Sequence, residues 1–285
     1  MSILALSLLL TAPLQESAGE ELRYDDRGRP VVSVLVNDKG PYDMVLDTAA
    51  QASLLGPSLA AQLNLKPMQS SMRIAGATGS AAARVYPVDH LSNHLFDARF
   101  VGLLEFPNPQ STPARGILGM EHFATRKLLF DRIAHRVTVL PSGPAESGFA
   151  TLAGKRREDG LVQVPVKING VTIEALIDTG AAVSIANPAA LAALGWEPDD
   201  ARLQAGGEIR GATSSTNTVR RAEMDTLAIG PATLRHVPLY FSPQADGEGP
   251  MLILGTDLLR LFEAFAVDFP RAELQIRLPA RNAKQ

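Results

Sequence analysis

Two stretches of the sequence set a carboxylate at the end of an apolar run: "MVLDTAA" at 44–50 and "ALIDTGAA" at 175–182. A lone charge at the end of a buried strand is costly to desolvate, so it must be paired, neutralised or used. Asp47 and Asp178 hold the same place in the two stretches, and each is followed by threonine. Two carboxylates facing each other about 3 Å apart cannot both ionise near neutral pH, so they share a proton. At an effective dielectric of about 20 their repulsion is on the order of 5 kcal/mol, or roughly 4 pK units. One member is then a base and the other an acid at the same pH. A water held between them can lose a proton to one carboxylate while the other donates to a substrate carbonyl. That is hydrolysis with no metal, no cofactor and no covalent intermediate.

The elements that must position such a pair are present twice. "VSVLVNDKGPYDMVLDTAAQASLLGPSLAAQLNL" begins at Val32, and "VPVKINGVTIEALIDTGAAVSIANPAALAALGW" begins at Val164. Each reads as a β-run, a turn, a second β-run and then Asp-Thr. Asn169-Gly170 predicts a two-residue hairpin, whereas residues 37–42 predict a longer turn in the first copy. Pro57 and Pro188 suit the first position of short helices over 58–63 and 189–194, with Gly195 as a C-terminal cap. "RIAGATGSA" at 73–81 answers "EIRGATSST" at 208–216, and "GILGMEHF" at 116–123 answers "LILGTDLL" at 252–259. "LLFDRIAHRVTVL" answers "AFAVDFPRAELQIRL", with Asp131 and Asp268 matched as strand-end residues that fix a turn. The repeat is far longer than a solenoid unit, so two duplicated lobes are expected, at 21–140 and 161–285. The segment 141–160, rich in Gly, Pro, Ser and charge, reads as the linker. A pseudo-two-fold axis between the lobes would bring Asp47 and Asp178 face to face. Thr48 and Thr179 would then hydrogen-bond across the axis, and the Gly-containing stretches would form mobile hairpins able to close over a substrate.

Composition narrows the class. The chain has 285 residues, 46% hydrophobic and 20% charged, and a net charge of −3, as in an ordinary globular protein. With no long basic run, nucleic acid is not expected as a partner. There is no cysteine, which excludes disulfides, thiol catalysis and Cys-ligated metal. "GATGSA" lacks the Lys-Ser/Thr of a phosphate loop. His90 and His94 are four apart, near Asp89, but no His-Glu-x-x-His pattern exists, and no metal is expected. Trp196 reads as packing. Residues 1–20 predict a signal peptide or a disordered N-terminus. The apolar run at 3–10 is too short to span a bilayer but fits a secretory core, although no Lys or Arg precedes it. The expected location is periplasmic or secreted, with the cytoplasm as alternative, and no stable membrane span after processing.

Taken together, these motifs resemble the aspartic proteases, specifically the retropepsin-like group. The resemblance rests on "LDTAA" at 46–50, "IDTGAA" at 177–182, and the elements Ile117-Leu118-Gly119 and Ile253-Leu254-Gly255. It covers nearly all of the chain after about residue 28. It implies an all-β fold of two tandem pseudo-symmetric β-barrel lobes, each closed by six strands and carrying one short helix. It implies an aspartic endopeptidase with Asp47 and Asp178 as catalytic pair and Thr48, Ala49, Thr179 and Gly180 in support; the shared proton itself predicts an optimum on the acid side of neutrality. Its flaps would hold Ile74, Gly76, Ala77 and Thr78 on one side and Ile209, Gly211, Ala212 and Thr213 on the other. The substrate would be a peptide or protein, and the chain would be monomeric because both half-sites lie in it.

One departure matters: the family expects Gly after Asp-Thr, and the first copy has Ala49. Without a positive φ there, Ala is acceptable, and true equivalence of the loops would let Gly180 tolerate a methyl as well. The alternative is a catalytically impaired peptide-binding module with the same cleft. A two-carboxylate glycosidase is a third reading, disfavoured because its carboxylates stand at least about 5 Å apart with a sugar between them.

Overall fold

The computed structural model describes residues 19–76, 79–213, 216–243 and 249–280. Alternation of buried and solvent-facing residues builds the strands. In Val162–Ile168 the residues Val162, Val164, Val166 and Ile168 are buried, and the residues between them face outward. Six strands close into a ring in the N-terminal lobe: Pro30–Val36, Lys39–Leu46, Gly116–Leu118, Leu54–Leu55, Phe96–Glu105 and Gly79–Asn93. The last returns to the first through Leu35 with Ser92 and Val36 with Leu91. The C-terminal lobe repeats the ring with Val162–Ile168, Val171–Ile177, Met251–Leu254, Ile185–Ala186, Ala232–Phe241 and Thr216–Ile229. It closes through Lys167 with Ala228 and Ile168 with Leu227. Both closed six-stranded lobes follow the expected architecture.

The local signals behave as their chemistry requires, with two exceptions. Asn169 and Gly170 have φ of 47° and 84°, the two left-handed residues of a tight hairpin. The first copy departs from the long turn expected at 37–42. Asn37 and Asp38 also turn in two residues, with φ of 51° and 60°, and a bulge between Val34 and Val36 absorbs the rest. Helices α1 (Pro57–Gln62) and α2 (Pro188–Ala193) both start on proline, and Asn187 Oδ1 caps the second by accepting from Ala190 N at 2.9 Å. Gly195, with φ of 74°, ends α2 as anticipated. One helix per lobe is short of the mark, because the C-terminal lobe adds α3 (Thr256–Leu259) where the N-terminal lobe has only a 3-10 turn, Met120–His122.

A third sheet, not foreseen from the sequence, joins the lobes. Its order is Gly19–Glu21, Arg136–Pro141, Arg126–Asp131, Ala264–Asp268, Glu273–Arg277 and Ala150–Ala153. The two lobes meet at its centre, where Phe130 pairs with Phe265 and their rings stack at 4.6 Å. The segment read as a linker therefore supplies an edge strand at 150–153, and Lys155–Arg156 pairs with the first strand of the second ring. Gly19 and Glu20, read as the end of a leader, form the opposite edge. The rest of that leader lies outside the described residues. Asp131 accepts from Ile133 N and Ala134 N, and Asp268 from Ser142 Oγ and Gly143 N, which fixes the turns beside this sheet. Trp196 is buried against Phe241 with the Arg202 guanidinium over its ring, a packing role. Among the described residues no helix is long and apolar enough to cross a membrane.

Candidate active site

Each Asp-Thr pair stands where the second strand of its ring ends. Lys39–Leu46 runs parallel to Gly116–Leu118, and Asp47 N donates to Leu118 O at 3.0 Å. Val171–Ile177 runs parallel to Met251–Leu254, and Asp178 N donates to Leu254 O at 3.1 Å. The strands thus aim both acids at one point between the lobes.

The threonines lock that point. Thr48 Oγ1 donates to Ile177 O at 2.7 Å and accepts from Thr179 N at 3.0 Å. Thr179 Oγ1 donates to Leu46 O at 2.6 Å and accepts from Thr48 N at 3.0 Å. Four hydrogen bonds therefore cross the axis, and each hydroxyl serves the other lobe's backbone. Both threonines are buried, so loss of either hydroxyl would strand polar groups that water cannot reach.

Ala49 N donates to Asp47 Oδ1 and Ala181 N to Asp178 Oδ1, both at 2.8 Å. The two carboxyls also hydrogen-bond each other. Burial between the lobes pushes both carboxyls up from the ordinary aspartate value, and the negative charge of Asp47 drives Asp178 well above it. The rise at Asp47 is opposed by N–H donation from Ala49 and Ala50 and by the positive charge of Arg29. The two carboxyls therefore titrate as one unit that shares a proton, with the stronger upward push falling on Asp178. Neither residue is sealed off; each keeps an edge open to solvent. Mutually hydrogen-bonded carboxyls leave no room for a sugar ring between them, which removes the geometric basis of the glycosidase reading.

Gly180 and Ala49 are not equivalent. Neither has a left-handed φ, so Ala49 is unstrained as anticipated. A Cβ added to Gly180, however, would lie 2.1 Å from Asp47 Oδ2. The expectation that Gly180 tolerates a methyl is overturned, because the opposing carboxyl occupies the space.

The sequence reading passed over a layer behind these loops. Ser53 Oγ accepts from Gly119 N, while Ser53 N donates to Glu121 Oε1. In the other lobe Ser184 Oγ accepts from Gly255 N and donates to Asp257 Oδ1. The signal was available: both copies place Ser six residues after Asp and an acid two residues after Ile-Leu-Gly. Burial opposes ionisation of Glu121, yet the His122 imidazole beside it and donation from Ser53 N hold its pKa below the usual range; burial raises that of Asp257. A side chain at Gly119 would strike Ala52 C at 2.7 Å, and one at Gly255 would strike Val183 C at 2.7 Å. Glycine there lets the chain pass directly behind the acid loops.

The stretches read as flaps form two hairpins, Ser71–Gly76 with Gly79–Asn93 and Gln204–Arg210 with Thr216–Ile229. Ile74 and Ala212 both pack against an apolar cluster of the N-terminal lobe that includes Val45, Leu54 and Ile117. Ile209 and Gly211 are half-buried and Thr213 is buried. A Cβ on Gly76 would touch that of Ala212 at 3.8 Å, so the two hairpins meet. Ala77 and Thr78 lie outside the described residues. Among the described residues no group of three or more His, Asp or Glu side chains is arranged to hold a metal ion. His90 instead bridges Asp38 and Asp97, and His94 pairs with Glu20.

A comparison with the curated proteins finds no match. The aspartyl protease family matches the chain in two segments, residues 32–122 and 164–258, one in each lobe. Each segment contains one Asp-Thr pair, one of the two hairpins and one Ile-Leu-Gly element. With both halves of the site and most of both lobes covered, the chain belongs to the aspartyl protease family.

Proposed function

We propose that this chain is an aspartic endopeptidase that hydrolyses peptide bonds with a water activated between Asp47 and Asp178. The observation that carries the reading is the crossed Thr48–Thr179 network, which ties together the two loops that carry the acids. Asp47 takes a proton from the water as its oxygen attacks the scissile carbonyl carbon. Asp178 gives its proton to the carbonyl oxygen, so the tetrahedral intermediate forms as a neutral diol. In the second half the acid now on Asp47 protonates the departing amine. Asp178 takes a hydroxyl proton back, the C–N bond breaks and the starting protonation state returns. Both acids keep their roles only while the pair holds one proton, which favours an acid optimum.

Membership of the aspartyl protease family supports a peptide or protein segment as substrate. Both half-sites lie in one chain, which supports a monomer. Export to the periplasm or beyond is part of the proposal and rests on the apolar run at 3–10.

The impaired-module reading draws on Ala49. Against it, Ala49 keeps the N–H that donates to Asp47 and has no left-handed strain. The deciding experiment is digestion of an unbiased peptide library by the full chain and by Asp47→Asn. Cleavage by the first and not the second supports the peptidase. No cleavage by wild type across acid and neutral pH sinks it.

A further inference from the structure

The C-terminal hairpin is tied to the opposite lobe. It crosses onto the N-terminal lobe, where the side-chain amide of Asn108 donates to Gly211 O at 3.2 Å and Thr213 O at 3.1 Å. Ala212, between those residues, packs into the N-terminal apolar cluster with Phe106 and Ile117. Thr213 is 1% exposed.

The donor is rigidly mounted. Asn108 lies between Pro107 and Pro109, and a residue before proline has little backbone freedom. Ser111 N donates to Asn108 O at 3.1 Å and closes the loop into a turn. Ser111 O accepts from Arg29 Nη2 at 2.9 Å. Arg29 is itself fixed by Asp25, through Nε at 2.8 Å and Nη2 at 2.6 Å, with both side chains nearly inaccessible. A buried ion pair thus braces the turn that carries the amide. Among the described residues the second lobe has no such brace. The turn in which Asp25 N donates to Arg29 O recurs as Arg157 N to Leu161 O, so Leu161, which has no side-chain donor, stands where Arg29 does.

We propose that Asn108 is a positioning residue, a latch that holds the C-terminal hairpin over the cleft from the opposite lobe. The C-terminal hairpin is then a roof fixed to the N-terminal lobe. Only the kinetic consequence of the latch rests on the peptidase reading. Losing both hydrogen bonds would cost substrate binding roughly tenfold, through a roof that must be ordered at each encounter.

The test is amide hydrogen exchange on the full chain as wild type, Asn108→Ala and Asn108→Asp, the last keeping the shape without the donor. In wild type, residues 204–213 should exchange about tenfold more slowly than in either variant. Both variants should remove that protection and leave 71–76 unchanged. Equal exchange of 204–213 in all three proteins, or a parallel rise in both hairpins, overturns the latch. On a cleaved peptide, both variants should raise KM about tenfold with kcat within about twofold. A fall in kcat at constant KM would place the effect in the chemistry and overturn the positioning role. If wild type cleaves nothing, the peptidase reading fails, while the exchange result still decides the latch.

Discussion

A methyl group on Gly180 would fall 2.1 Å from Oδ2 of Asp47, although the matching position of the other loop already carries one as Ala49. The repeat is symmetric in backbone and asymmetric at its chemical centre. Gly180→Ala must therefore push Asp47 out of place, and turnover should fall by about 100-fold or more. Ala49→Gly removes only a tolerated methyl and should change turnover less than tenfold. Turnover and melting temperature of wild type and both variants check this. A Gly180→Ala enzyme with normal turnover would show that Asp47 does not lean over that loop.

Asp47→Asn and Asp178→Asn should each abolish cleavage, and the double variant should be no worse than either single one, because the pair acts as a unit. Single-turnover assays on a cleaved peptide measure this. Near-normal turnover by either single variant contradicts a shared dyad.

The raised pKa of Asp178 also makes a stability prediction. Its folded state holds the proton more tightly than the unfolded chain does. Stability from this group is full below the ordinary aspartate value and declines as pH rises toward the elevated folded value. Asp178→Asn has no charge to bury, so its melting temperature should exceed that of wild type by a few degrees at pH 7. The gap should shrink as pH falls below about 4, where both states of the wild type are protonated. A gap independent of pH would assign the effect to packing.

The threonine network predicts a different pattern. Thr48→Val strands Thr179 N–H and Ile177 C=O and should cost about 2–4 kcal/mol. Thr48→Ser keeps both bonds and should cost much less. Denaturant unfolding separates them; equal losses in the two variants would mean that the methyl, and not the hydroxyl, carries the contribution.

At the surface, Asp38 and then Asp97 raise the pKa of His90. A raised histidine value gives stability that is complete below about pH 6.5 and fades as pH climbs through the folded value. His90→Gln should lower the melting temperature more at pH 5.5 than at pH 8.5. The reverse order would mean that the bridge works through the neutral ring.

Much of this site was legible in the sequence because it is duplicated. An apolar run ending in Asp-Thr, a proline-started helix, a Gly-Ala-Thr stretch and Ile-Leu-Gly recur in one order, and each follows from local chemistry. That was enough to give two barrels, the acid pair and the crossed threonines. The layer of Ser53, Glu121, Ser184 and Asp257 was also written in the repeat, but these read as ordinary polar residues until Gly119 and Gly255 were seen to touch them. The sheet between the lobes escaped because pairing of residues 126–131 with 264–268 is non-local, and 150–153 carries loop-like neighbours. What only the tertiary structure decided is where the symmetry breaks. How strongly each acid is pushed up depends on burial and on a charge at Arg29, and whether a methyl fits at 49 or 180 depends on the opposing carboxyl. Whether a hairpin is anchored depends on Asn108 in the other lobe. Each is a contact between residues far apart in the chain, and such contacts have no signature in local sequence.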